Sequence, residues 1–349
     1  MEKKKVLILF GGMSTEHEVS RVSATSVLKN INKDRYDIGV IGIDKEGNFL
    51  EYIGDYNKIQ DDNWIEYTNE ISDIVSYIKE YDVAFPVLHG LYGEDGTIQG
   101  LFELLKIPYV GCKVLSSSVA MDKVYTKIVF DKAGIKQVPS VYLKKTIDGE
   151  IILIDDLFNE IIGIDNILNI IEEKLDYPMF VKPSNSGSSV GVSKVRDKEE
   201  LIKGINEAKE YDSKILVEKG INAREVECAV LERNGNVEAS ILGEILPAGD
   251  FYSYESKYED ENSGLQIPAM IDAKTTEYIR ETAIKAFKAI DGNGLSRVDF
   301  FVDKDTNEIY LNEINTLPGF TNISMYPKLW GKTGVEYSEL IDILIENAK

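Results

Sequence analysis

Apolar and polar residues alternate along this chain in the manner of an α/β protein. Residues 6–10 (VLILF) form a continuous apolar run, the mark of a strand covered on both faces. Gly11 and Gly12 follow, then Ser14 and Glu16, then a helix-like stretch over 19–28. Strand, glycine turn and helix start together open an α/β nucleotide-fold unit. Residues 37–43 and 83–88 read as further strands, the second ending at His89 and Gly90. The pattern predicts a helix from about Thr97 and another over 117–133, stopped at Gly134. Residues 146–175 read as strand and helix, and 178–182 and 214–218 as short strands. Residues 249–265, rich in Tyr and polar residues without periodicity, read as one long loop. A helix is expected over 275–290. Residues 295–302 and 308–315 flank the polar turn DKDTN and read as a β-hairpin.

A chain of 349 residues exceeds one ordinary core, and at roughly 150 residues per domain two or three domains are expected. The composition, 43% hydrophobic and 28% charged, excludes global disorder. The net charge of −21 argues against nucleic acid or an anionic membrane as partner. It leaves room for ATP if lysines converge on one cleft. Cys112 and Cys228 show no spacing pattern, so a reducing cytosol fits and no disulfide framework is implied. Two scattered His residues with them argue against a zinc site. The five-residue apolar run near the start is too short for a signal or a membrane span, so a cytoplasmic protein is expected.

The hairpin carries the sharpest local chemistry. Glu313 and Asn315, two apart on a strand, project to one face, and counting back from the turn puts Asp299 almost directly opposite Glu313. Two carboxylates and an amide would suit Mg²⁺, with phosphate oxygens completing its shell; a solvated hairpin face is the bland alternative. Arg297 shares that face and favours a nearby anion. Residues 184–191 (SNSGSSVG) follow Lys182 and could cradle a phosphate on free N–H groups, or merely connect two strands. Residues 89–96 (HGLYGEDG) place three glycines at a strand end, with His89 either functional or a satisfied structural histidine. Residues 251–258 (FYSYESKY) read as a lid or as a loop docked on the core. Gly-x-Ser-x-Gly, His-Glu-x-x-His and a full Gly-x-Gly-x-x-Gly are all missing. What remains is phosphoryl chemistry, run by positioning and charge neutralisation.

In order along nearly the whole chain, these pieces resemble the D-alanine–D-alanine ligases of the ATP-grasp superfamily. The resemblance rests on 11–20 (GGMSTEHEVS), 89–100 (HGLYGEDGTIQG), 121–123 (MDK), 181–191 (VKPSNSGSSVG), 251–258, 297–299 (RVD) and 312–321 (NEINTLPGFT). It implies an α/β, three-domain fold. A Rossmann-like pre-ATP-grasp domain over 1–119 binds substrate, and α+β domains over 120–218 and 219–349 clamp ATP, with the lid near 249–266. It implies ATP-dependent ligation of two D-alanines through an acyl phosphate, for peptidoglycan precursors.

The resemblance also implies residue roles. Glu16, Ser188, Tyr258 and Arg297 are the expected catalytic set. Glu16, His89, Arg297, Gly319, Ser324 and Met325 are expected at the substrates. Lys123, Lys182, Ser188, Ser189, Glu218, Lys219, Ile221, Glu225, Lys257 and Asn312 are expected at ATP. Asp299, Glu313 and Asn315 are the expected ligands of two Mg²⁺ or Mn²⁺ ions, a monovalent cation such as K⁺ staying open. A homodimer is expected. Two departures stand out: Asn312 replaces an acidic residue common in the family, and 322–325 (NISM) varies a Ser-His-Ser-Leu pattern. A D-alanine–D-serine or D-lactate ligase of the same family is the nearest rival. Tyr258 and Met325 favour D-alanine over it. A non-catalytic nucleotide-binding protein is the rival from another class.

Overall fold

The computed structural model describes residues 3–185, 187, 190–246 and 264–349. Its first sheet contains β1 (Lys4–Gly11), β2 (Tyr36–Ile43), β3 (Phe49–Tyr52), β4 (Thr68–Glu70) and β5 (Val83–Pro86), in the order β4-β3-β2-β1-β5. β1 runs parallel to both neighbours. Successive side chains of a strand face opposite ways, so a central strand covered twice must be apolar throughout. Val6, Ile8 and Phe10 accordingly enter one core cluster, and Leu7 and Leu9 another. Helices α1 (His17–Asn30), α2 (Ile74–Ile78) and α3 (Thr97–Leu105) follow β1, β4 and β5. Leaving β1, Gly11 adopts a φ of +89°, where a Cβ would lie 2.2 Å from the Ile43 carbonyl oxygen. Only glycine fits that approach.

The stretch 117–133, expected as one helix, is two. α4 (Val114–Met121) stops and α5 (Lys123–Lys132) starts around Asp122, whose backbone is extended. The Asp122 carboxylate accepts from the N–H groups of Val124 and Tyr125, so this side chain caps a new helix rather than continuing the old one.

The second sheet is antiparallel. It comprises β6 (Ser140–Lys145), β7 (Ile151–Ile154), β8 (Glu160–Ile161), β9 (Met179–Pro183), β10 (Ser193–Val195) and β11 (Lys214–Lys219), ordered β10-β9-β11-β6-β7-β8. α6 (Ile164–Lys174) and α7 (Lys198–Ala208) cover it and close a core made of residues 141–217 alone.

The third sheet, also antiparallel, comprises β12 (Ala223–Arg233), β13 (Asn236–Leu246), β14 (Gly264–Gln266), β15 (Leu295–Asp303) and β16 (Ile309–Asn315), ordered β14-β13-β12-β15-β16. Residues 264 and 265, expected in the long loop, are therefore edge strand, and the rest of that loop up to 263 lies outside the described residues. β12 splits its side chains between the helices on its two sides. Val226, Cys228 and Val230 pack towards α8 (Ala273–Ala289), whereas Ala229 and Leu231 join the cluster of α9 (Met325–Thr333) and α10 (Tyr337–Glu346). That last cluster also contains Val6, Ile8, Phe10 and Phe85, so the first and third sheets share one core. Cys112 and Cys228 both belong to the α8 cluster as free, buried thiols.

Candidate active site

Asp299 pairs with Glu313, close to the opposition expected from the sequence, and Arg297 pairs with Asn315. Directly opposed residues of antiparallel strands share a face. The register breaks between Asp299 and Phe300, where Phe300 pairs with Leu311 and Asn312 is the extra, bulged residue. On the other side β12 places Glu227 opposite Asp299, which sets three carboxylates in one row across three strands. The sequence reasoning missed Glu227, because nothing local signals a strand pairing seventy residues away.

Such a row needs a counter-charge, and Arg297 supplies it. Its Nε lies 2.8 Å from Asp299 Oδ1 and 3.0 Å from Glu227 Oε2, and its Nη2 lies 2.6 Å from Asp299 Oδ2. Asn315 donates its amide to Asp299 Oδ2 at 3.1 Å. Burial disfavours the guanidinium charge, but Asp299 and Glu227 outweigh it and hold the pKa well above its usual value. Among the described residues no three or more Asp, Glu, His or Cys side chains are gathered as a metal nest. The cross-strand Asp299–Glu313 pair nonetheless offers hard oxygen donors only, which suits Mg²⁺ or Mn²⁺.

Facing this sheet stands the end of the first one. Glu16 occupies the N-cap position of α1 and is 8% exposed. A Cβ on Gly90, at φ +72°, would lie 2.6 Å from Glu16 Oε2, and one on Gly187 would lie 3.0 Å away. Both glycines thus let backbone pass against this carboxylate. Ser14 ties the turn together, donating to the His89 carbonyl at 2.6 Å and accepting from the Glu16 N–H at 3.1 Å. His89 is buried. Its Nδ1 lies 3.1 Å from the Leu317 carbonyl oxygen, and its Nε2 lies 2.9 Å from Ser23 Oγ. Burial pushes its pKa below the usual imidazole range, only partly offset by Glu16.

Glu94, also missed, belongs to the same glycine-rich segment. Its two oxygens accept from the Gly90 N–H at 2.8 Å and the Leu317 N–H at 3.4 Å. Burial and the neighbouring Glu16 push its pKa up to about 8. The signal for it was present: an acidic residue inside a tight turn that already held a candidate histidine. Beyond Leu317, Gly319 lies against Ser324, whose Oγ would be 2.8 Å from a Cβ there. Ser324 occupies the N-cap position of α9 and its Oγ accepts from the Thr321 N–H at 3.0 Å. Met325 turns into the core against Gly243, so its side chain is a packing element.

The second sheet and the neighbouring α5 carry the lysines. Glu218 is buried on β11, with Lys127 Nζ 2.8 Å from one oxygen and Lys182 Nζ 2.5 Å from the other. Burial alone would raise its pKa, but the two ammonium groups win and hold it at about 2. Lys127 was not foreseen. The segment 121–123 meets the one after Lys182: Ser184 Oγ donates to Asp122 at 2.6 Å, the Lys123 N–H reaches the Ser184 carbonyl at 3.2 Å, and Lys214 pairs with Asp122. Lys219 pairs with exposed Asp176 at 2.9 Å, Ile221 lies between β11 and β12, and Glu225 sits on β12 opposite Phe301. Ser188, Ser189, Lys257 and Tyr258 lie outside the described residues.

A family model described as D-ala D-ala ligase N-terminus matches residues 5–112, and one described as D-ala D-ala ligase C-terminus matches 158–346. The chain is 54% identical to a D-alanine–D-alanine ligase of Clostridium acetobutylicum, covering 99% of this chain and 98% of that one. It is 51% identical to one of Acetivibrio thermocellus, covering 99% and 96%. Among solved structures, VanG D-Ala:D-Ser ligase from Enterococcus faecalis superposes with a TM-score of 0.85 at 38% identity, covering 99% of each chain. The D-alanine–D-alanine ligase from Coxiella burnetii gives 0.84 at 34%, covering 99% of this chain and 94% of that one. Sequence identity of this level over nearly every residue, on three sheets of matching arrangement, means that the chain belongs to the D-alanine–D-alanine ligase family.

Proposed function

We propose that this enzyme activates one D-alanine with ATP and joins it to a second, releasing D-alanyl-D-alanine, ADP and phosphate for peptidoglycan synthesis. The observation that carries the reading is the approach of Glu16 and His89, from the first sheet, to Arg297 and the 316–321 segment of the third. An amino acid bound there meets a carboxylate for its ammonium and donors for its carboxylate.

In this scheme Glu16 holds the ammonium of the first D-alanine, Arg297 orients its carboxylate, and His89 helps to position that substrate by fixing the 316–321 segment. A carboxylate oxygen attacks the γ-phosphorus, the bond to the bridging oxygen breaks, and ADP leaves. Lys123, Lys182 and Lys257 neutralise the phosphates, and Glu218, Lys219, Ile221, Glu225 and Asn312 line the nucleotide. The amine of the second D-alanine, held by Ser324 beside Met325, then attacks the acyl carbon after losing its ammonium proton. Arg297 and the Gly319 N–H stabilise the oxyanion, and phosphate departs. Arg297 has five N–H donors, so its hold on Asp299 and Glu227 leaves capacity for that oxyanion. Ser188, Ser189 and Tyr258 complete the enclosure with the lid. Asp299, Glu313 and Asn315 would hold two Mg²⁺ or Mn²⁺ ions, which when bound neutralise charge on the β- and γ-phosphates. We place the enzyme in the cytoplasm as a homodimer. Among the described residues no helix is long and apolar enough to cross a membrane.

Phosphate release from ATP with D-alanine, D-serine, D-lactate and L-alanine, each offered alone and beside D-alanine, tests the reading. D-alanine alone should support turnover, and D-alanyl-D-alanine should dominate the products when acceptors compete. A product dominated by D-alanyl-D-serine or by the D-lactate ester would overturn it.

A further inference from the structure

The segment 316–321, which carries the Gly319 N–H, belongs to the third sheet by sequence yet is held from elsewhere. The Leu317 carbonyl meets His89 Nδ1 at 3.1 Å, and the Leu317 N–H donates to Glu94. The Phe320 N–H donates to Ser23 Oγ at 3.2 Å, and the Phe320 carbonyl accepts from the Tyr337 hydroxyl at 2.6 Å. Ser23 is wholly buried on α1. Its hydroxyl touches both ends of this arrangement, since it also lies 2.9 Å from His89 Nε2.

One proton placement satisfies the set. A carbonyl only accepts, so His89 Nδ1 carries the proton that reaches Leu317. In the neutral ring Nε2 then has a lone pair, and the Ser23 O–H donates to it. The Ser23 oxygen stays free to accept from the Phe320 N–H. The chain of bonds runs Phe320 N–H to Ser23, Ser23 to His89 and His89 to Leu317, closing a clasp around Pro318 and Gly319. Burial, which favours the uncharged imidazole, agrees with this arrangement.

We infer that Ser23 is a positioning residue, whose hydroxyl fixes the His89 ring and the Phe320 peptide and thereby aims the Gly319 N–H at the developing oxyanion. This rests on the ligase reading above. The residues of the clasp are not among those assigned to ATP above, so its loss should act on the oxyanion and not on the nucleotide. Misplacing a catalytic group by an ångström costs up to ~100-fold in rate.

The test is Ser23→Ala, which removes one oxygen, with Ser23→Cys as a companion that keeps a weaker donor. Both are assayed well below their melting temperatures. Ser23→Ala should lower kcat by about 10- to 100-fold while KM for ATP stays within about two-fold. Ser23→Cys should fall between it and the unaltered protein. A second readout is independent of turnover. The chain has two histidines, His17 and His89, so ¹⁵N-histidine labelling gives two sets of ring signals. One set should show a protonated Nδ1 and an Nε2 that shifts when Ser23 becomes Ala. An unchanged kcat, or ring signals that stay in place, overturns the inference. If the unaltered protein forms no D-alanyl-D-alanine, the ligase reading fails instead, and the ring spectrum alone decides whether Ser23 sets His89.

Discussion

Arg297 grips Asp299 two positions along its own strand, with two parallel contacts of 2.8 and 2.6 Å. A residue expected to bind metal is thus held by a residue expected to bind the oxyanion. Removing the Asp299 charge therefore disturbs two functions at once. Asp299→Asn should reduce turnover by ~100-fold or more, the scale seen when a preorganised electrostatic group is lost. It should also destabilise the fold by about 2 kcal/mol. Stripping a buried charge of its partner costs ~3–5 kcal/mol, but Glu227 still faces Arg297 here. Urea titration beside a steady-state assay checks both figures, and an unchanged denaturation midpoint would show that the pair contributes nothing to stability.

Glu218 links acid stability to the nucleotide cleft. Its folded pKa, about 2, lies below the usual 4.5. A depressed carboxylate stabilises the fold above its unfolded pKa, and that stability drains away as pH falls from about 4.5 towards 2. A difference of this size is worth on the order of 3 kcal/mol. Glu218→Gln should be less stable than the unaltered protein at pH 7 and should lose less stability between pH 5 and pH 3. Denaturant midpoints at several pH values measure this, and parallel curves for the two proteins would refute it.

Glu94 should show the opposite sign. Its folded pKa is raised to about 8, so the folded protein keeps a proton that the unfolded chain has released at neutral pH. Stability then declines as pH rises from about 4.5 to 8. Glu94→Gln, an uncharged stand-in, should gain on the unaltered protein across that window. Thermal melts at pH 5, 7 and 9 read the difference, which should widen and then level off. A constant gap would sink the assignment.

Met325 and Gly243 should be energetically coupled. A Cβ at Gly243 would lie 2.4 Å from Met325 Sδ and 3.1 Å from Leu329 Cδ2. Gly243→Ala should cost about 1–3 kcal/mol, the usual penalty for overpacking. Met325→Ala should remove most of that penalty in the double variant, and a double-mutant cycle by chemical denaturation measures it. Strict additivity would place the Met325 side chain elsewhere.

The sequence made the parallel strands of the first sheet readable because their apolar runs are continuous, and the hairpin readable because its turn fixes the register. Counting brought Asp299 almost opposite Glu313, and the bulge at Asn312 completes the pairing, since the register next to the turn, continued unbroken, would set Asp299 opposite Asn312. Glu227 could not be placed by counting, since β12 meets β15 by a pairing that no local pattern encodes. Ser23 was hidden for the same reason: it lies on α1 and its partner Phe320 is 297 residues away. The break at Asp122 was legible in principle, because an aspartate within an apolar helical pattern is also a cap. The helical periodicity on both sides masked it. The paired grip of Arg297 on Asp299 was unforeseen, since a shared strand face shows proximity but not which partner a guanidinium takes.

The common core of the first and third sheets bears on synthesis by the ribosome. Val6, Ile8, Phe10 and Phe85 emerge early, but Tyr326, Trp330, Leu340 and Leu344, which pack in the same cluster, emerge last. At ~5–20 residues per second, the gap of over two hundred residues lasts on the order of ten seconds or more. During that interval the nascent first sheet carries an uncovered apolar side, whereas the second sheet, whose core is drawn from 141–217 alone, is complete as soon as it leaves the tunnel. The oldest part of the chain is therefore finished after the middle part, and the C-terminal helices decide when the N-terminal strands stop needing a chaperone.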